Sequence, residues 1–108
     1  MAETFDRTLL NGVTSGTGPV EAVGAYDQYE SSVDWGAGVS AGVVVFEWSP
    51  TPGFGGTWFA LATHTFSAPL LVTRFLFQVV GGYVRARVAT TVTGGVITIR
   101  RSLMVAGK

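Results

Sequence analysis

His64 is the chain's one histidine and the first residue of which chemistry is asked. Catalysis through it would need an activated serine alongside, and the sequence has no GxSxG elbow. One histidine and no cysteine exclude a histidine- or thiolate-based metal cluster, and no DxDxDG spacing marks a calcium loop. On a strand, such a histidine reads as a partly buried, hydrogen-bonded residue. Asp27 with Glu30, or Glu30 with Asp34, has the residue types of a glycosidase pair. They fall on a short alternating stretch beside serines, which is how solvated strands are written. Gly16-Thr17-Gly18 lacks the Lys-Ser/Thr and the following helix of a phosphate cradle. Tyr83, Arg85 and Arg87 alternate on one strand face, a pattern suited to single-stranded nucleic acid, but too few other bases accompany them. Trp35, Trp48, Trp58, Tyr26, Tyr29 and Tyr83 would form a stacking platform for sugars if exposed and fill a core if not. The inventory is that of a protein that binds or builds. We expect no catalytic residue, no cofactor and no metal.

The elements that carry these residues are strands. Residues 29–35 alternate Tyr29, Val33 and Trp35 against Glu30 and Asp34, an edge-like or half-exposed strand. Residues 43–48 are apolar on both faces, which predicts a central strand. Two prolines and three glycines in residues 49–56 enforce a turn, and residues 58–65 follow as the hairpin partner. In residues 70–80, Leu71, Thr73, Phe75, Phe77 and Val79 form the expected core face. Gly81-Gly82 and Gly94-Gly95 each read as a tight hairpin turn. They flank a strand with Val84, Ala86, Val88 and Val92 on one face and open a last strand lined by Ile97, Ile99, Leu103 and Val105. Arg101 falls on that apolar parity, so a bulge or strand end is expected near it. No segment shows helical spacing. Seven or eight short strands predict an all-β, single-domain antiparallel β-sandwich or jelly roll. Residues 1–19 are expected as an N-terminal arm, or a first strand plus loop, and residues 20–108 as the sandwich. The arm's Gly-, Ser- and Thr-rich loop makes it a candidate to reach a neighbouring molecule, and its deletion is then expected to spare the fold.

Charge is sparse and segregated. Only 13% of the 108 residues are charged, against about 25% in a typical soluble domain, so much of the surface is expected to be covered by other protein. All seven acids precede residue 48 and six of the seven bases follow residue 73, which leaves about half the chain at −6 and half at +6. Either the halves neutralise each other within one chain, or acidic and basic faces meet between copies. A chain of net charge zero has no strong pull on nucleic acid or an anionic membrane. Its acidic start has no apolar signal region, and no apolar run is long enough for a spanning helix.

The order of motifs over residues 42–99, an apolar strand ending in FEWSPTPGFGGTW and later YVRARVATTVTGGVITI, resembles small virion proteins of tailed bacteriophages. Pro50-Thr51-Pro52 stands where that group more often has Asp-Gly. The resemblance implies a capsid decoration (cement) protein of the β-sandwich type, synthesised in the host cytoplasm and located on the virion surface. Its expected partners are the major capsid protein and further copies of itself, as a dimer or trimer, with no nucleic acid and no membrane. A phage tail or fibre module and a carbohydrate-binding sandwich are the alternatives. The candidate interface residues are Phe5, Arg7, Trp35, Arg85, Arg87 and Arg100.

Overall fold

The computed structural model describes residues 3–23, 28–53, 55–68, 71–78 and 81–105, with side chains from residue 6 to residue 103. Tyr26 and Asp27 lie outside the described residues, as does the side chain of Phe5. Eight strands run in the order β1 (Glu3–Val13), β2 (Glu21–Ala22), β3 (Gln28–Trp35), β4 (Ala41–Ser49), β5 (Phe59–Thr65), β6 (Val72–Phe77), β7 (Tyr83–Thr93) and β8 (Ile97–Val105). One sheet has the order β1-β8-β3-β6 and the other β2-β7-β4-β5. The antiparallel pairs β1–β8, β2–β7, β3–β6 and β4–β5 are nested one inside the next. This is the double Greek-key pairing of an eight-stranded jelly roll. The expected all-β sandwich is therefore what forms, and no helix occurs among the described residues.

Alternation builds the core. Tyr29, Val33 and Trp35 from β3, Val44 and Phe46 from β4, Val84 and Ala86 from β7, and Ile97, Ile99 and Leu103 from β8 all turn inward and are buried. β4 lies between β5 and β7, as its two apolar faces predict. β3 does not lie at an edge: β8 and β6 pair on either side of it, and its alternation marks only which face is wet. β6 takes the edge instead, although Val72 and Leu76 make its outer face as apolar as its inner one.

Neither diglycine is a hairpin. Gly81-Gly82 carries the chain from β6 in one sheet to β7 in the other, and Gly94-Gly95 from β7 back to β8. Local composition asks only for a reversal, whereas the partner is decided by which strands lie alongside. Gly94, at φ 87°, packs against the backbone of Gly38, where a Cβ would collide with the Gly38 carbonyl oxygen. The bonds Gly36 N–H to Val96 O (3.0 Å) and Ser40 N–H to Thr93 O (2.9 Å) lock these two turns together at one end of the sandwich.

Within the segment expected as an arm or a first strand plus loop, Glu3–Val13 form strand β1. β1 pairs with β8 from Glu3↔Val105 to Val13↔Ile97, with register shifts after Thr8 and Asn11. The bulges therefore lie on β1, and Arg101 continues β8 without a break. Beyond β1 the chain crosses to the other sheet and runs beside β7. Val92 N–H bonds Thr14 O, Val88 N–H bonds Gly16 O and Gly18 N–H bonds Ala86 O, all within 2.8–2.9 Å. These residues are tied along the β7 edge. Deleting residues 1–13 should thus abolish cooperative folding, because β8 loses one side of its ladder and Leu9 leaves the core. A truncated chain that keeps a sharp urea transition at the wild-type midpoint would contradict this.

Candidate functional site

The one histidine is fully buried, and its ring joins the two sheets. β5 turns His64 inward between the rings of Phe46 (5.6 Å) and Phe75 (4.7 Å). Its Nε2 lies 2.8 Å from Ser31 Oγ on β3, and its Nδ1 lies 2.7 Å from Thr73 Oγ1 on β6. The Trp35 indole N–H donates to Thr73 Oγ1 at 3.1 Å, and Ser31 Oγ donates to the Phe75 carbonyl at 3.4 Å. An indole N–H can only donate and a carbonyl can only accept, so one proton order uses every hydrogen. Thr73 donates to Nδ1, and Nε2–H donates to Ser31. Burial lowers the His64 pKa to about 4, which favours this neutral ring. With Nε2 carrying the proton, the ring does not accept the Ser31 proton, and the group at Nδ1 is the Thr73 hydroxyl. Here Ser31 and His64 form a pin between sheets. No cavity opens beside them among the described residues.

The segregated charges meet inside the chain. Nested antiparallel pairing lays the acidic first half against the basic second half. Glu21 on β2 accepts a two-pronged contact from Arg101 on β8 (2.8 and 2.9 Å) and a third bond from Arg7 on β1 (2.8 Å). Burial pushes the Glu21 carboxyl up, but the hydrogen bonds and charges of Arg101 and Arg7 outweigh it and hold its pKa below 4.5. Arg101 therefore keeps its apolar parity by facing a buried carboxylate in the opposite sheet. Glu47 on β4 is clamped by Arg85 (3.0 Å) and Arg87 (3.0 and 3.2 Å) on β7. Burial opposes its ionisation as well, and the two arginines again lower its pKa. Arg100 reaches Asp34 at 3.6 Å, and Ser102 donates to Asp6. The Tyr29 hydroxyl is buried with no hydrogen-bond partner among the described residues, and burial, then the charge of Glu21, raises its pKa.

The candidate interface residues do not form one surface. Arg85 and Arg87 come together on Glu47, and the Arg85 guanidinium lies 4.0 Å over the Trp58 ring. Glu47 offsets one of the two positive charges on the face that alternation offered to nucleic acid. Arg100 stands on the other sheet, and Arg7 turns to Glu21. Trp35 is only 3% exposed and packs in the core, not on the surface. Phe5 pairs through its backbone with Leu103, its side chain lying outside the described residues. Nor do the aromatics make a platform. Tyr29 stacks on Phe77 in the core, and Trp48 packs on Phe59 while donating to the Gly81 carbonyl at 3.0 Å.

The surface that sequence reasoning missed is the open side of the roll, where β5 ends one sheet and β6 the other. Leu71 (64% exposed), Leu76 (61%), Phe59 (59%), Phe75 (45%) and Val72 (42%) are all in water there. A strand apolar on both faces reads as buried. That signal was present but pointed to the sheet's interior, whereas the unmet demand for cover stands at its edge.

No family model and no curated protein matches the sequence. Among solved structures, the chain is similar to the SPBc2 prophage-derived protein YomS, with a TM-score of 0.70 and 15% identity over 96% of this chain and 95% of that one. A structure of Bacillus endospore appendages, described as disulfide-linked pili, superposes with a TM-score of 0.44 and 16% identity over 98% and 87% of the two chains. The second likeness is too loose to carry an argument. The first is a likeness of fold: this chain has the fold of a prophage-derived protein.

Proposed function

We propose that the chain is a structural protein of a phage particle that binds the outer surface of the capsid and stabilises it by bridging neighbouring subunits. The observation that carries this reading is the open side of the roll, with five large apolar side chains exposed in a domain where only 13% of residues are charged. Apolar side chains exposed on both faces of an edge strand, with Phe59 on the edge strand of the other sheet, favour contact with other protein. The described acids and bases are largely spent on one another, so the outside offers few charges to a polymer or a membrane. The fold shared with a prophage-derived protein and the resemblance over residues 42–99 both favour a particle component. Each bound copy would hide apolar area at about 25 cal/mol per Å², and repetition over a symmetric shell multiplies the effect.

The test is made on gradient-purified particles of the phage that encodes the chain. Quantitative mass spectrometry should find it at a copy number set by capsid symmetry, with antibody-gold label on heads. Particles lacking it should rupture at lower temperature. Its absence from particles overturns the proposal, and label confined to tails replaces it with the tail-module reading.

A further inference from the structure

We propose that β6 is a self-association edge, pairing antiparallel with β6 of a second copy about a two-fold axis through Phe75. The four outer strands of the two sheets differ in how they are protected. Natural edges are blunted by bulges, brevity, charge or proline. β1 carries two register shifts with Asp6 and Arg7, β2 is two residues long, and β5 has a register shift against β4. β6 pairs with β3 without a shift and holds a single charge, Arg74. Its backbone is half used. Leu71 O accepts from Trp35 N–H at 2.7 Å, so the residues of that parity face β3. Alternation along an antiparallel ladder then turns the N–H and C=O groups of Val72, Arg74 and Leu76 away from the sheet.

The occupant follows from charge. Among the described residues, neither Glu30 nor Arg74 makes an ion pair, and both lie on the outer face of their sheet. A register centred on Arg74 sets two arginines opposite each other, which is unfavourable. A register centred on Phe75 sets Arg74 of the second copy opposite Leu76, and Leu76 is opposite Glu30 on β3. Glu30, Leu76 and the second copy's Arg74 then share one row. Two strand spacings put the charged pair about 10 Å apart at Cα, within reach of both side chains. The arginine stem covers Leu76, and the two-fold axis makes the contact twice. The same register offers Arg74 and Leu76 as a hydrogen-bonded pair and brings the two Phe75 rings together. A net charge of zero sets no overall repulsion between copies. This surface supplies the self-association that fits the capsid reading. Because it is measured on the free protein, its failure is distinct from failure of capsid binding.

The experiment is sedimentation velocity on the full chain across a concentration series, repeated with Glu30→Arg, Arg74→Glu, the double swap and Leu76→Lys. Wild type should dimerise. Each single charge reversal should weaken dimerisation by about tenfold, the double swap should restore it to within about threefold, and Leu76→Lys should give monomer. Circular dichroism of each variant confirms the fold, since none of the three side chains is in the core. A wild-type monomer throughout, a dimer indifferent to Leu76→Lys, or a double swap no better than its singles would each overturn the proposal.

Discussion

Replacing Glu21 by leucine should destabilise the protein by about 3–5 kcal/mol, although the change adds apolar surface. Glu21 is 8% exposed and takes three bonds from Arg101 and Arg7, so the substitution strips two guanidinium groups of their shared carboxylate. The Arg101 side chain is 11% exposed and cannot recover full hydration without opening the β2–β8 side of the roll. Replacing both, as Glu21→Leu with Arg101→Met, should regain most of the loss, because two apolar side chains then fill the site of an ion pair. The carboxyl has its folded pKa below the ordinary 4.5, so its contribution is complete above pH 4.5 and fades as pH falls further. Urea midpoints at pH 7 and pH 3 check both points. A loss below about 1 kcal/mol at pH 7, or a difference between wild type and Glu21→Leu that does not shrink at pH 3, would show that the triad holds nothing together.

His64→Ala should cost a similar amount, about 3–5 kcal/mol, for a different reason. The ring leaves a void between Phe46 and Phe75, and the Ser31 and Thr73 hydroxyls each lose a partner in a site closed to water. The pH dependence identifies the residue. Folded His64 is held at about 4 by burial, against 6.5 when unfolded. As pH falls below 6.5 the unfolded chain takes up a proton that the folded chain refuses, so stability is lost progressively between pH 6.5 and about 4. A shift of that size makes the loss about 3 kcal/mol by pH 4. The carboxylates of Glu21 and Glu47 weaken only below 4.5, and no other histidine exists, so the upper window reports on His64 alone. The Ala variant should be flat across it. A wild-type profile that is flat from pH 7 to 5 would mean that the ring is protonated in place.

Much of the molecule was legible because it depends on nearest neighbours along the chain. Alternation over residues 29–35 and 83–92 put Tyr29, Val33 and Trp35 on one strand face and Val84 and Ala86 on another, and those are the faces that turn inward. The double apolar face of β4 predicted its central place. What alternation does not carry is the identity of the neighbouring strand. β3, read as edge-like or half-exposed, lies inside its sheet for that reason, and both diglycines joined sheets instead of paired strands. The candidate surface suffered in the same way. Trp35 went to the core, Arg85 and Arg87 to Glu47, and the apolar residues of β6 to the edge.

Strand content, the wet and dry face of each strand, and the opposition of acidic and basic halves belong to the sequence alone, since side-chain parity and charge order need no partner. Tertiary structure decided which halves meet and which edge stays open. Nested pairing of β1 with β8, β2 with β7, β3 with β6 and β4 with β5 is a long-range choice made by the whole core at once. That choice turned a segregated charge pattern into internal ion pairs. It also left β6, with Val72, Phe75 and Leu76 exposed, facing water.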